Sequence, residues 1–195
     1  MIAAARRLDR CQKGASTIEF ALVAPIFFML LMGIFDVGQM VYARAVLNGA
    51  VQKAARSSAL ETANTSSADA MVTSALRPIV PHATVSSTRQ SYFDFADIGR
   101  REHWNDANNN GDCDNNETYT DENRSGDWEA DIGVGGNGGA SDVIVYTVNA
   151  SFTPFFSAPF LPVLSGSHTI TATAVRKNQP FADQDGYGSG TGVCA

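Results

Sequence analysis

Histidine and cysteine are scarce in this chain, with three of each among 195 residues. His82, His103 and His168 stand far apart, and no Ser-His-Asp, Cys-His or zinc-ligand spacing joins them to partners. Enzymatic chemistry therefore has no motif to rest on, and nothing points to a small-molecule substrate. Positive charge is scarce too once the first fourteen residues are set aside, leaving ten Lys and Arg against nineteen Asp and Glu. So acidic a remainder is ill suited to nucleic-acid phosphates. The length suits one modest domain plus an anchor.

Charge of either sign is missing between Glu19 and Asp36. Ile18 to Phe35 supplies about eighteen residues, near the lower limit for a membrane-spanning helix. Arg6, Arg7, Arg10 and Lys13 precede it with Asp9 as the only acid, which sets the amino terminus in the cytoplasm and the distal part across the membrane. A carboxylate inside such a span costs about 2.5–3.5 kcal/mol and calls for a function. Cleavage after Gly14 would make Ala15 the first residue, Glu19 the fifth and Pro25 the eleventh. A basic leader ending in Gly, with Glu at that offset, resembles a type IV prepilin. By that resemblance the freed amine of Ala15 faces the Glu19 carboxylate of a neighbouring subunit. A plain signal anchor leaves Glu19 unexplained. A secretory signal cut after Ala43-Arg44-Ala45 would lie well past the apolar core, beyond Asp36 and Gln39.

The helical pattern continues past the apolar run. Val37, Met40, Val41, Leu47, Val51, Ala54 and Ala55 recur at intervals of mostly three and four, predicting a helix from about Ser16 to Ala59, roughly 65 Å long. The run from Gly14 to Pro25, then Gly33 to Gly38, Tyr42 to Arg44 and Ala54 to Arg56, resembles the TadE-like family, the minor pseudopilins of the tight-adherence (Flp) pilus system. The resemblance covers about Gly14 to Arg56. It implies a structural component in assembly or modulation of that pilus, with prepilin peptidase, other pseudopilins and pilus assembly proteins as partners. It also implies single-pass insertion in a bacterial inner membrane. The alternative is a membrane-anchored calcium-binding adhesin or surface-recognition module.

The organisation read from the sequence is a leader at 1–14, a membrane and spine helix at 15–60, a head at 61–182 and a Gly-rich extended tail at 183–195. The head is expected to be α+β and pilin-like, a long amino-terminal membrane-spanning helix packed on a small antiparallel sheet. Ser66 to Arg77 reads as a helix stopped by Pro78 and Pro81. Strands are expected at His82–Phe93, Asp142–Phe152 and His168–Arg176, with Ile144, Tyr146, Val148, Ala150, Phe152, Ile170, Ala172 and Ala174 facing inward. Pro154 to Leu164, with Phe156 and Phe160, is an apolar, Pro-broken loop. It either packs under the sheet or makes a subunit or membrane contact.

Twelve of the twenty acids lie between Asp94 and Asp131, within an insert at 94–140. Asp106, Asn108, Asn110, Gly111, Asp112, Asp114 and Glu117 fit a twelve-residue calcium loop. Positions one, three and five offer side-chain oxygens, Asp112 its carbonyl, Asp114 a direct or water-mediated contact and Glu117 a bidentate carboxylate. A second loop starts fifteen residues later with Asp121, Asn123, Ser125, Gly126 and Asp127. Its twelfth position is Ile132, so Glu129 or Asp131 is expected to close it. The pair resembles the tandem Asp/Asn-rich calcium loops of secreted bacterial proteins, and implies one or two structural calcium ions. The competing reading is a solvated Asn/Asp/Gly linker. Cys11 belongs with the basic segment on the reducing side. A periplasmic head predicts a Cys113–Cys194 bridge, where a cytosolic one would leave both thiols free. The 81-residue loop so closed is worth about 4–4.5 kcal/mol in the chain-entropy model.

Overall fold

The computed structural model describes residues 14–60, 64–155 and 166–194. The basic leader up to Lys13, and the stretch with Phe156 and Phe160, lie outside the described residues. Helix α1 runs over Ala15–Ser58, 44 residues with Pro25 inside, within a residue at each end of the expected span. The chain falls into two units, one of residues up to Tyr42 with 153–167, the other of Ala43–Phe152 with His168 onward.

In the first unit α1 carries its apolar side chains outward. Leu22 is 72% exposed, and Phe20, Phe35 and Ile18 are nearly as open. It is the one helix among the described residues long and apolar enough to cross a membrane, with mean hydropathy 2.3 over its best window. In water such a surface would be costly; in hydrocarbon it is at home.

In the second unit the same helix buries Ala43, Leu47, Ala50, Val51, Ala54 and Ala55, a stripe at helical spacing. Val37 and Val41, read from the sequence as part of that stripe, are exposed; the buried apolar stripe starts at Ala43. Ala55 and Ser58 line one small cavity with Ile144, Tyr146 and Arg176 of the sheet. Arg176 donates to Gln52 Oε1 at 2.9 Å. A second helix, α2 (Thr65–Leu76), is capped by Asn64, whose side chain accepts from Ser67 N–H at 3.0 Å, and buries Ala68, Val72 and Leu76.

The main sheet is antiparallel throughout, in the order β3 (Val134–Gly135), β1 (Thr84–Tyr92), β4 (Val143–Phe152), β5 (His168–Lys177). Strand β1 (Thr84–Tyr92) pairs antiparallel with β4 (Val143–Phe152), from Thr84 opposite Ser151 to Tyr92 opposite Val143. Strand β4 pairs with β5 (His168–Lys177), from Phe152 opposite His168 to Val143 opposite Lys177. The short β3 (Val134–Gly135), not anticipated, adds to the free edge of β1. Alternation holds: Ile144, Tyr146, Val148, Ala150, Phe152, Ile170, Ala172 and Ala174 are all buried. Each large one contributes about 1.5–3 kcal/mol relative to exposure. The opposite face is laced by Thr147–Thr173, Ser151–Thr169 and Thr171–Asn149 hydrogen bonds.

A second, two-stranded sheet joins β2 (Thr118–Asp121) to β6 (Gly190–Val193). The end of the tail, expected to be extended and held only by a Cys194 bridge, is thus a strand. Glycine at 190 and 192 gives little strand propensity, but pairing and a covalent tie override it. Cys194 is disulfide-bonded to Cys113, with Cα atoms 5.6 Å apart. Its backbone donates to Glu117 O at 2.8 Å and accepts from Asn116 N–H at 3.1 Å.

Candidate metal centre and processing site

Loop 1 curls around its own backbone amides. The Asp106 carboxylate accepts from Asn110 N–H at 3.1 Å and Gly111 N–H at 3.0 Å. Asn108 Oδ1 accepts from Asn110 N–H, and Asn110 Oδ1 from Asp112 N–H, both at 2.9 Å. The chain turns through left-handed residues at Asn109 (φ 57°) and Gly111 (φ 85°); the second is the sharp turn for which glycine is suited. Asp114 accepts from the Asn108 and Asn110 amides at 3.0 and 3.1 Å. Glu117, buried, closes the ring: Oε1 accepts from Ala107 N–H (2.8 Å) and Asn108 N–H (3.4 Å), and Oε2 from Asp114 N–H (3.4 Å). In loop numbering those donors are positions two, three and nine.

Loop 2 repeats the pattern. Asp121 accepts from Ser125 and Gly126 N–H, both at 3.0 Å, and Asn123 Oδ1 from Ser125 N–H at 3.0 Å. Ser125 Oγ accepts from Asp127 N–H at 3.3 Å. Arg124 (φ 64°) and Gly126 (φ 90°) are left-handed, matching Asn109 and Gly111. Of the two residues expected to close the loop, Glu129 accepts from the Asn123 amide. Asp131 is engaged elsewhere, accepting from Tyr92 O–H at 3.0 Å and Gly133 N–H at 3.1 Å.

A carboxylate that sequence reasoning passed over lies against loop 2. Glu102 is fully buried, accepting from Glu122 N–H at 2.8 Å and Glu129 N–H at 3.2 Å. The segment 100–105 carries it there by running alongside β2 and the end of loop 2. Thr120 N–H donates to His103 O, Asn105 N–H to Thr118 O, Glu102 N–H to Glu129 O and Ile132 N–H to Arg100 O. The available signal was Glu102 as one more acid in an acidic insert; its partner loop begins nineteen residues on.

Among the described residues no group of three or more His, Cys, Asp and Glu side chains is gathered as a metal cluster. The donors that the two loops offer are instead mixed carboxylate, amide, hydroxyl and backbone oxygens. That all-oxygen chemistry fits calcium and not zinc or a thiolate-seeking metal. Beside loop 2, Arg100 clamps Glu122 (2.6 Å) and Asp97 (2.9 Å). The Arg100 hydrogen bond outweighs burial and, with His103, holds the Glu122 carboxyl down to about 2.

At the other end of the chain, Gly14 precedes the first turn of α1 and is exposed. Glu19 lies one turn in, exposed between Ile18 and Phe20. Ala15 is the first residue of the helix. The site residues thus form two groups: Gly14, Ala15 and Glu19 at the start of α1, and the two loops with the Cys113–Cys194 bridge on the head. A family model described as TadE-like protein matches residues 14–56. No curated protein and no solved structure matches the chain.

Proposed function

We propose that this chain is a membrane-anchored, non-catalytic component of a tight-adherence type IV pilus system, a minor pseudopilin processed after Gly14. The observation that carries this reading is the coincidence of the TadE-like match with α1. Residues 14–56 cover nearly all of a helix whose first half is apolar and exposed and whose second half is the spine of the head. Glu19 on that exposed surface needs a partner charge within the membrane, and a free amine at Ala15 of a neighbouring subunit supplies one. The basic leader orients the head toward the periplasm. There one or two calcium ions order the insert through Asp106, Asn108, Asn110, Asp112, Asp114 and Glu117, and through Asp121, Asn123, Ser125 and Asp127. Other pseudopilins, pilus assembly proteins and prepilin peptidase are its partners.

The test is the amino-terminal sequence of the protein recovered from cells that carry the prepilin peptidase. The expected start is Ala15. An intact Met1 in such cells sinks the pseudopilin reading and leaves a permanent anchor bearing a recognition module.

A further inference from the structure

We infer that Glu102 is the closing ligand of loop 2, supplied from outside the loop and taking the part that Glu117 takes in loop 1. This rests on the calcium reading of the insert. Loop 2 has an apolar residue, Ile132, at its twelfth position, and Ile132 is buried in a small cluster with Tyr92 and Val143. A calcium loop without its terminal carboxylate loses its bidentate anchor.

The two glutamates hold equivalent places. One oxygen of Glu117 accepts from the amide at loop position two, and the other from position nine. One oxygen of Glu102 accepts from position two of loop 2, Glu122, and the other from position nine, Glu129. In loop 1 the position-three amide of Asn108 adds a further bond to Glu117 Oε1. Each loop therefore aims its position-two and position-nine N–H groups at one carboxylate.

A second observation is independent of loop shape. Glu102 is 0% exposed, and among the described residues it has no salt-bridge partner. Its backbone donors belong to Glu122 and Glu129, themselves acids, and Asp121 adjoins Glu122 in the chain. A fully buried carboxylate beside another acid is costly without a cation. Arg100 is two residues away yet is spent on Glu122 and Asp97. A divalent ion held between Asp121, Asn123, Ser125 and Glu102 supplies the missing positive charge.

The full chain in detergent micelles is titrated with calcium by calorimetry, comparing wild type with E102Q and E117Q. Wild type is expected to bind two ions. E102Q should weaken one site about 10–100-fold and spare the other, and E117Q should do the converse. Terbium identifies the loop in a Trp104→Phe background, where Trp128, at position eight of loop 2, is the one tryptophan left to sensitise its emission. That emission should fall in E102Q and persist in E117Q. Two unaltered sites in E102Q, or undiminished Trp128-sensitised emission, overturn the assignment of Glu102 and leave loop 1 as a calcium site. No calcium binding by wild type removes the calcium reading itself and Glu102 with it. Near-UV circular dichroism checks folding. If E102Q is unfolded, E102D is used, whose carboxylate is one methylene short; wild-type affinity in loop 2 of E102D likewise overturns the inference.

Discussion

Asp69 shows how much a single carboxylate can tie together in a head this small. It takes a bidentate bond from Arg89 of β1, at 2.6 and 3.1 Å, and a 2.6 Å bond from Tyr146 O–H of β4. The Arg89 guanidinium also stacks 4.2 Å from the Tyr146 ring centroid. One residue of α2 therefore fixes that helix to two strands. Burial pushes the Asp69 carboxyl up, but bonds from Arg89, Tyr146 and Ser87 outweigh it, so it stays ionised below its ordinary 3.8. A depressed carboxyl stabilises the fold above that ordinary value and loses its contribution as pH falls through the lowered one. Asp69→Asn should cost about 1–2 kcal/mol at neutral pH, a figure reduced because the side chain is a third exposed. Chemical denaturation at pH 7 and at pH below the carboxylate range checks it: the gap between wild type and variant should close in acid. At this scale the sequence was legible where spacing is local. Asp106 through Glu117 can be read because their roles lie within twelve residues, whereas the part played by Glu102 depends on which segment folds beside loop 2.

Among the elements, α1, α2 and the three long strands follow from periodicity, since each repeats its buried side every two or every three to four residues. The three short strands did not announce themselves, and Thr118–Asp121 reads in the sequence as the junction of the two loops. Val134–Gly135 has no alternation to read, and Gly190–Val193 is half glycine. Glycine at 192 has a use that only pairing reveals: it stands opposite Tyr119, and a β-carbon there would collide with the Tyr119 ring. The ring covers the gap that the glycine leaves and sends its O–H to Gly126 O at 2.8 Å, so β6, β2 and loop 2 share one side chain. Gly192→Val should cost about 1–3 kcal/mol through overpacking and free the β6 ladder. Amide hydrogen exchange should then quicken at Thr118–Asp121 and at residues 190–193 while the β4–β5 pairing is unchanged. Unaltered exchange in β2 would mean that Tyr119 moves aside at no cost.

For the whole molecule, the insert at 106–132 buries only Tyr119 and Ile132 among its apolar side chains, so its order is expected to depend on conditions. Calcium should protect residues 106–132 from limited proteolysis in the full chain. Asp106→Ala combined with Glu117→Ala should abolish the share of that protection due to loop 1. Equal cleavage of wild type with and without the ion would return the insert to a solvated linker. The Cys113–Cys194 bond and the β2–β6 ladder fasten this mid-chain segment to residues near position 190. Synthesis delivers a chain in order, so loops 1 and 2 emerge roughly sixty residues before the strand that completes their sheet. The middle of the head is consequently finished last. Until residue 194 is in place and an oxidant joins it to residue 113, the insert lacks both its covalent tie and its partner strand.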